Sequence, residues 1–195
     1  MKRRSFLRTA AAAVPALALH DVMGSRALAQ TSASALPVSS QHALHVVGAG
    51  EDRSGHPHSI HGGMSSLLFK VETSETAGRL FIIEHMHLVP GGPALHLHNS
   101  QEEWFYVMEG RVAFQVGNQR LELGPGESIL GPRRIPHTFS SVSATPSRMM
   151  IAFCPAGKME QYFRDAADPK DLHAEAEYMR RYDMELIGPS PFWKS

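Results

Sequence analysis

The stretch that decides the fold and the chemistry is Gly92-Pro93-Ala94-Leu95-His96-Leu97-His98, which is followed by Glu103 and an aromatic run. Residues two apart on a β-strand point to the same face, so His96 and His98 project side by side. Asn99-Ser100-Gln101 is typical of a short turn. Trp104-Phe105-Tyr106-Val107, which begins directly after Glu103, predicts a returning strand.

A third imidazole follows in the segment Pro136-His137-Thr138-Phe139. His96, His98, Glu103 and His137 can then converge on one point. A His-x-His pair alone is more often an exposed strand pair, but the added carboxylate and third histidine favour a metal site. This donor set suits one divalent transition metal and leaves positions for water, oxygen or substrate. Iron, manganese, nickel, copper and zinc all accept it, so the identity of the metal stays open.

Short apolar stretches separated by Gly and Pro turns fill the chain from Ser66 onward. Strands are predicted over 67–71, 79–88, 94–98, 103–109, 111–117, 119–123, 127–131, 135–140 and 147–153. Many short strands with regular turns favour a closed or double-sheet all-β architecture. After Pro155 the spacing becomes helical, with one predicted helix around Met159, Tyr162 and Phe163 and a second over 169–186.

Two motifs in this region carry a family resemblance: Gly92-x3-His96-x-His98-x4-Glu103-x6-Gly110 and Gly124-Pro125-Gly126-Glu127-x4-Pro132-x4-His137-x-Phe139. They resemble the two motifs of the cupin superfamily, and their wording is most similar to the quercetin-dioxygenase-like single-domain cupins. The resemblance implies an antiparallel cupin jelly-roll over residues 66–155, with a C-terminal helical extension and tail over 156–195. The sequence departs from the usual motifs at two positions. Gly92 lies closer to His96 than is usual, and Ser141 stands where asparagine is often found.

The ligand set and the resemblance together imply a mononuclear metal-dependent dioxygenase, similar to a quercetinase, that acts on a neutral aromatic or enolic small molecule. Glu103 is expected to be catalytic as a proton acceptor as well as a ligand. Two alternatives stay open, because a fold does not fix a function. They are a non-redox metal isomerase or lyase, and a non-catalytic small-molecule-binding cupin.

Strand parity also predicts the walls of the pocket. Phe105 and Val107 share the parity of Glu103, and these two residues together with Phe114 and Phe139 are predicted to line the pocket. No Lys or Arg is placed among them, whereas phosphorylated or polyanionic substrates usually need fixed cations. The pattern therefore favours a neutral, aromatic or apolar ligand.

The remaining aromatic and histidine residues are given structural interpretations. Trp104 and Tyr106 have the opposite parity and are expected to pack against the helices or a second subunit, which leaves a homodimer open. His85 and His87 repeat the His-x-His spacing without a carboxylate in a following hairpin, so a flanking strand is favoured, although either could line the pocket. Two further expectations concern a solvated or lid-like segment with His56, His58 and His61, and a buried structural thiol at Cys154, the single cysteine.

The N-terminus predicts an export signal over residues 1–29. A basic segment precedes a short Ala-rich apolar stretch, and Ala27-Leu28-Ala29 is a small-x-small cleavage site. Arg3-Arg4-x-Phe6-Leu7-Arg8 resembles a twin-arginine signal, so the twin-arginine export machinery is an expected partner and the periplasm or the exterior the expected location. Residues 30–65 are predicted to be a leader or N-terminal extension.

The chain has 19 basic and 19 acidic residues, and its sequence does not predict a basic groove. Nucleic acid is therefore not an expected partner.

Overall fold

The computed structural model describes residues 45–60, 65–165 and 171–193. The predicted signal peptide, most of the predicted leader and His61 lie outside these described residues. No helix in the described ranges is long and apolar enough to cross a membrane.

Eleven strands in the described ranges form two antiparallel sheets. The six-stranded sheet has the order β1-β2-β3-β10-β5-β8, with β1 His58–Ile60, β2 Ser65–Val71, β3 Phe81–Leu88, β10 Ser147–Cys154, β5 Glu102–Glu109 and β8 Ser128–Gly131. The five-stranded sheet has the order β11-β4-β9-β6-β7, with β11 Met184–Gly188, β4 Leu95–His98, β9 His137–Ser141, β6 Val112–Val116 and β7 Gln119–Leu123. This is the predicted all-β jelly-roll architecture.

The core lies between the two sheets and follows the alternation of the strands. In β10, Met149, Ile151 and Phe153 are buried while the residues between them are more exposed, as expected for a strand with one face on a core. Phe105 of the six-stranded sheet packs against Phe114 of the five-stranded sheet, with ring centroids 5.2 Å apart. The apolar face of each sheet is thus buried against the other.

Two helices follow the barrel, α1 (Met159–Asp165) and α2 (Leu172–Arg181). The Tyr178 hydroxyl donates a hydrogen bond of 2.7 Å to the carbonyl of Tyr162, which ties α2 to α1. Met159 and Met179 are buried on the core side of these helices. The predicted C-terminal helices are therefore present and pack on the barrel.

The second helix is shorter than the prediction over 169–186. The chain turns at Asp183, which has a φ of +67°, and Met184–Gly188 then forms β11. β11 pairs with β4, with Met184 opposite His98 and Leu186 opposite His96. The helical spacing of this segment is a local signal, whereas the edge of β4 that accepts β11 is created only by the folded barrel.

Cys154 is exposed, which corrects the expectation of a buried thiol. It follows five apolar residues, and that apolar run suggested burial. However, Cys154 is the last residue of β10 and has the parity opposite to Phe153, so its side chain lies on the outer face.

Candidate metal centre

The four predicted ligands come from three strands in two sheets. His96 and His98 lie on β4 and His137 on β9, and His96 is paired directly with His137 in the ladder between these strands. Glu103 lies on β5 of the opposite sheet. All four side chains are buried, and one donor atom from each lies within 4.8 Å of the donor atoms of the others. The structure thus brings together all four residues that the sequence singled out.

The carboxylate of Glu103 contacts two of the imidazoles. Its Oε2 lies 2.9 Å from Nε2 of His137 and 3.0 Å from Nε2 of His98. The rings of His98 and His137 are nearly parallel, with centroids 5.5 Å apart, and the His96 centroid lies 5.0 Å from that of His137. The donor atoms therefore surround one small volume.

Each of the three imidazoles is held in place by a contact at its Nδ1 atom. Nδ1 of His96 lies 2.8 Å from the carbonyl of Ala94, and Nδ1 of His137 lies 2.9 Å from the carbonyl of Ile135. A carbonyl oxygen can only accept a hydrogen bond, so both Nδ1 atoms carry a proton. Hydrogen bonds of this kind fix the orientation of metal-binding histidines and leave Nε2 as the donor atom.

Gln101 fixes the third imidazole, a role that was not predicted from the sequence. Its side chain is buried, its Oε1 lies 3.1 Å from Nδ1 of His98, and its Nε2 donates to the carbonyl of Ala156 at 3.4 Å. Gly157 leaves the space that Gln101 fills, since a Cβ there would lie 1.5 Å from Nε2 of Gln101. A glutamine in a turn is an ordinary residue, so the only available signal was its position three residues after His98.

Burial and the neighbouring charges shift the titration of the cluster in different directions. The pKa of His96 is lowered to about 3, first by burial and then by the charges of His137 and His98. Burial alone would raise the pKa of Glu103, but the neighbouring imidazoles of His137 and His98 outweigh it and lower that pKa. For His137, burial lowers the pKa, and the hydrogen bond with Glu103 outweighs it and raises that pKa. The cluster therefore contains an ionised carboxylate and a neutral His96.

The donor set fits a metal ion. Nε2 of His98 is fully buried, and although it lies 3.0 Å from Oε2 of Glu103, the two atoms are not aligned for a hydrogen bond, so Nε2 has no hydrogen-bond partner among the described residues. A buried polar atom without a partner is costly, and a metal ion at this position would supply the missing interaction. Three imidazole nitrogens and one carboxylate form a mixed nitrogen and oxygen site that could bind a divalent transition metal.

A cavity of about 510 Å³ opens onto the cluster. Its lining includes His96, His98 and Glu103 at one part of the wall and apolar and aromatic side chains elsewhere, among them Phe139 and Phe153. Other lining residues come from α1 and α2. No Lys or Arg is among the described residues that line it. The cavity is thus suited to a small, largely apolar molecule.

Of the four predicted pocket-lining residues, the structure places Phe139 on the cavity wall. Phe105, Val107 and Phe114 lie instead in the packed interior, with at most 1% of each side chain exposed, and they do not border the cavity. Strand parity identifies the side chains that point into the barrel. It does not identify which end of the barrel is filled by side chains and which stays open.

Two other predictions can be compared with the structure directly. His85 is buried and lines the cavity, where it contacts Ser65 by a hydrogen bond, whereas His87 is exposed. Trp104 and Tyr106 lie on the outer face of β5 and stack on each other with centroids 5.8 Å apart. They remain 37% and 36% exposed, so the helices that the structure describes do not bury them.

His56 and His58, which precede β2, lie in different environments. His58 lies in β1 and stacks on Phe69, with ring centroids 3.7 Å apart, while His56 is exposed. The expectation of a solvated segment therefore describes His56 and not His58. The packing of His58 on a core phenylalanine fixes β1 to the six-stranded sheet.

The central part of the chain is similar to known proteins. Residues 84–153 match the family model of the cupin domain. Among solved structures, the chain is similar to a predicted oxalate decarboxylase from Thermotoga maritima, with a TM-score of 0.50 and 14% identity, covering 57% of this chain and 99% of the other. At this identity the similarity concerns the fold alone, and it agrees with the two-sheet jelly-roll described above.

Two curated proteins share sequence with part of this chain. An uncharacterized protein of Methanocaldococcus jannaschii is 30% identical over 70 residues, which is 35% of this chain and 56% of that protein. The quercetin 2,3-dioxygenase of Bacillus subtilis is 28% identical over 78 residues, which is 40% of this chain and 23% of that protein. The chain thus spans about half of the first relative and about a quarter of the second.

Proposed function

We propose that this cupin-domain protein is a mononuclear metal-dependent dioxygenase that acts on a neutral aromatic or enolic small molecule. One observation carries the proposal: a buried cluster of three imidazoles and one carboxylate forms part of the wall of a largely apolar cavity. His96, His98, Glu103 and His137 would hold the metal. A bound divalent metal supplies open coordination positions for oxygen or for a substrate oxygen.

The match to a region of a quercetin 2,3-dioxygenase supports an aromatic substrate and oxygen chemistry. The lining of the cavity supports the same substrate class independently. Phe139, Phe153 and Phe163 present aromatic surface, and none of the described lining residues is a lysine or an arginine that would bind a phosphate or a carboxylate.

The protein's own residues have three tasks in this proposal. Ala94, Gln101 and Ile135 orient the imidazoles through their Nδ1 atoms. Glu103 places its carboxylate on the cavity wall, where it can accept a hydrogen bond from a substrate hydroxyl and serve as the proton acceptor of the proposal. The aromatic wall excludes water from the bound molecule, which strengthens electrostatic interactions inside the site.

The test is oxygen uptake by protein loaded separately with Fe²⁺, Mn²⁺, Ni²⁺, Cu²⁺ and Zn²⁺, screened with phenolic and enolic compounds. We expect uptake with at least one redox-active metal, and none with Zn²⁺ or with the His98→Ala variant. Turnover that continues without oxygen would replace the proposal with a metal isomerase or lyase. Tight binding with no product under any metal would replace it with a non-catalytic binding protein.

A further inference from the structure

The cavity extends beyond the barrel to the two C-terminal helices. Tyr162 of α1 and Glu175 of α2 are among its lining residues, and neither belongs to the matched cupin segment. Glu175 is half-buried, and its side chain makes no hydrogen bond or ion pair with any described residue. The wall formed by the helices therefore carries a carboxyl group with an unused hydrogen-bonding capacity.

The other two carboxyl groups of the cavity wall are already engaged. Glu103 contacts His98 and His137, and the Asp171 side chain accepts a hydrogen bond of 2.9 Å from the backbone N–H of Ala174 at the start of α2. Burial raises the pKa of Glu175, and no described residue offsets that effect. A partly desolvated carboxyl group without a partner is costly, and a hydrogen-bond donor on a ligand would remove that cost.

Tyr162 connects this part of the wall to the metal cluster. Its ring packs against Phe163 and Tyr178, with centroids 5.0 Å away in each case. Its pKa is raised by burial and then by the charges of neighbouring groups, which include both Glu175 and Glu103. Glu103, Tyr162 and Glu175 line the same cavity of about 510 Å³, so a single small molecule bound there can contact both the metal cluster and Glu175.

We propose that Glu175 is a specificity-determining residue that accepts a hydrogen bond from a hydroxyl or ammonium group at the end of the substrate remote from the metal cluster. The inference rests on the proposed function in one respect, namely that the reacting end of the substrate lies at the metal cluster. It also implies that a substrate with a carboxylate at the remote end is rejected, since that charge would meet Glu175 without a cation from a described lining residue.

The test measures binding and not turnover. Protein loaded with Zn²⁺, which has no redox chemistry, is titrated by calorimetry with four catechols that differ at the remote end. They are 4-ethylcatechol, 4-(2-hydroxyethyl)catechol, 4-(2-aminoethyl)catechol and 3,4-dihydroxyphenylacetate. We expect the hydroxyl and ammonium probes to bind about 10-fold more tightly than 4-ethylcatechol, as one hydrogen bond to a charged group permits, and the carboxylate probe to bind most weakly.

Two variants separate charge from hydrogen bonding. Glu175→Gln keeps an acceptor and removes the charge, so it should remove the advantage of the ammonium probe and keep most of that of the hydroxyl probe. Glu175→Leu should remove both advantages. Glu177→Gln and Glu177→Leu are the matched controls, since Glu177 lies on the same helix with 54% of its side chain exposed. Bound zinc, measured for each variant, shows that the site is intact.

Equal binding of all four probes by the wild-type protein would overturn the inference, as would an unchanged order of affinity in Glu175→Leu. These results are independent of the proposed dioxygenase activity. A protein that discriminates through Glu175 but takes up no oxygen would retain the inference and lose the proposed function. Oxygen uptake with no effect of Glu175 on binding would do the reverse.

Discussion

His137 compensates the charge of Glu103 within the cluster. Its Nδ1 donates to the carbonyl of Ile135, and its Nε2 lies 2.9 Å from Oε2 of the ionised Glu103. Both partners are acceptors, so the ring donates from both nitrogens and carries a positive charge. This agrees with the raised pKa of His137. A proton on Nε2 thus occupies the position where a metal would bind.

Metal binding should therefore release protons. Below its raised pKa, His137 is protonated and competes with the metal, so affinity should increase with pH and become constant above that pKa. At a pH below the raised pKa of His137 we expect about one proton released per metal ion bound. Calorimetry in buffers of different ionisation enthalpy measures this number directly. An affinity that does not change between pH 6 and pH 8 would contradict the prediction.

Gln101 should affect the metal affinity although it is not one of the four proposed ligands. Replacing it by Leu removes the acceptor for Nδ1 of His98, so the ring loses its fixed orientation. Loss of such a partner typically weakens metal binding about 10–100-fold. Competition with a chromophoric chelator measures the change. Gln119→Leu, at an exposed position of β7, is the control and should bind metal as the wild type does.

Among the elements, the turn before β4 positions the histidine pair. Gly92 has a φ of +65°, and a Cβ there would lie 1.6 Å from the carbonyl oxygen of Phe139 in β9. The C-terminal tail also contacts this turn, since Nε1 of Trp193 donates to the carbonyl of Gly92 at 3.1 Å. The unusual spacing between Gly92 and His96 therefore belongs to a turn packed tightly against β9.

Gly92→Ala should destabilise the protein strongly. The left-handed backbone alone costs on the order of 1–3 kcal/mol for a residue other than glycine, and the contact with β9 adds to this cost. We expect a lower midpoint in urea unfolding and reduced metal binding, because β9 carries His137. Gly188→Ala is the control, since Gly188 does not have a positive φ and a Cβ there would meet no atom within 4 Å. Equal midpoints for the two variants would contradict the prediction.

The strands were predictable to different degrees for a physical reason. β2 to β10 carry their own alternation and turn residues, so their positions follow from local sequence. The convergence of His96, His98, Glu103 and His137 also follows from strand parity once a two-sheet barrel is assumed. In contrast, the pairing of β11 with β4 and the contribution of Glu175 to the cavity depend on how the C-terminal segment packs on the finished barrel. No local pattern contains that information.

At the scale of the whole molecule, the cluster connects the two sheets. His96, His98 and His137 belong to the five-stranded sheet and Glu103 to the six-stranded sheet. A metal held by all four residues would therefore join the two halves of the barrel by coordination bonds in addition to the apolar packing between them. Such a site is assembled only in the folded chain, so the free energy of metal binding becomes free energy of folding.

Metal should consequently raise the stability of the folded protein by an amount that increases with the logarithm of the ratio of the free metal concentration to the Kd. At a free Zn²⁺ concentration 100 times the Kd, the free energy of unfolding should increase by about 2.7 kcal/mol, less any contribution from zinc bound to the unfolded chain.

His98→Ala should lose most of this increase, and Glu103→Ala should lose part of it because zinc would then be held by one sheet only. Glu102→Ala is the matched control, since Glu102 is adjacent to Glu103 on β5 but pairs with Arg133 at the surface at 2.5 Å. Thermal unfolding of each variant with and without zinc gives the increments. An increment that is the same in Glu103→Ala as in Glu102→Ala would show that Glu103 does not hold the metal and that the cluster does not connect the two sheets.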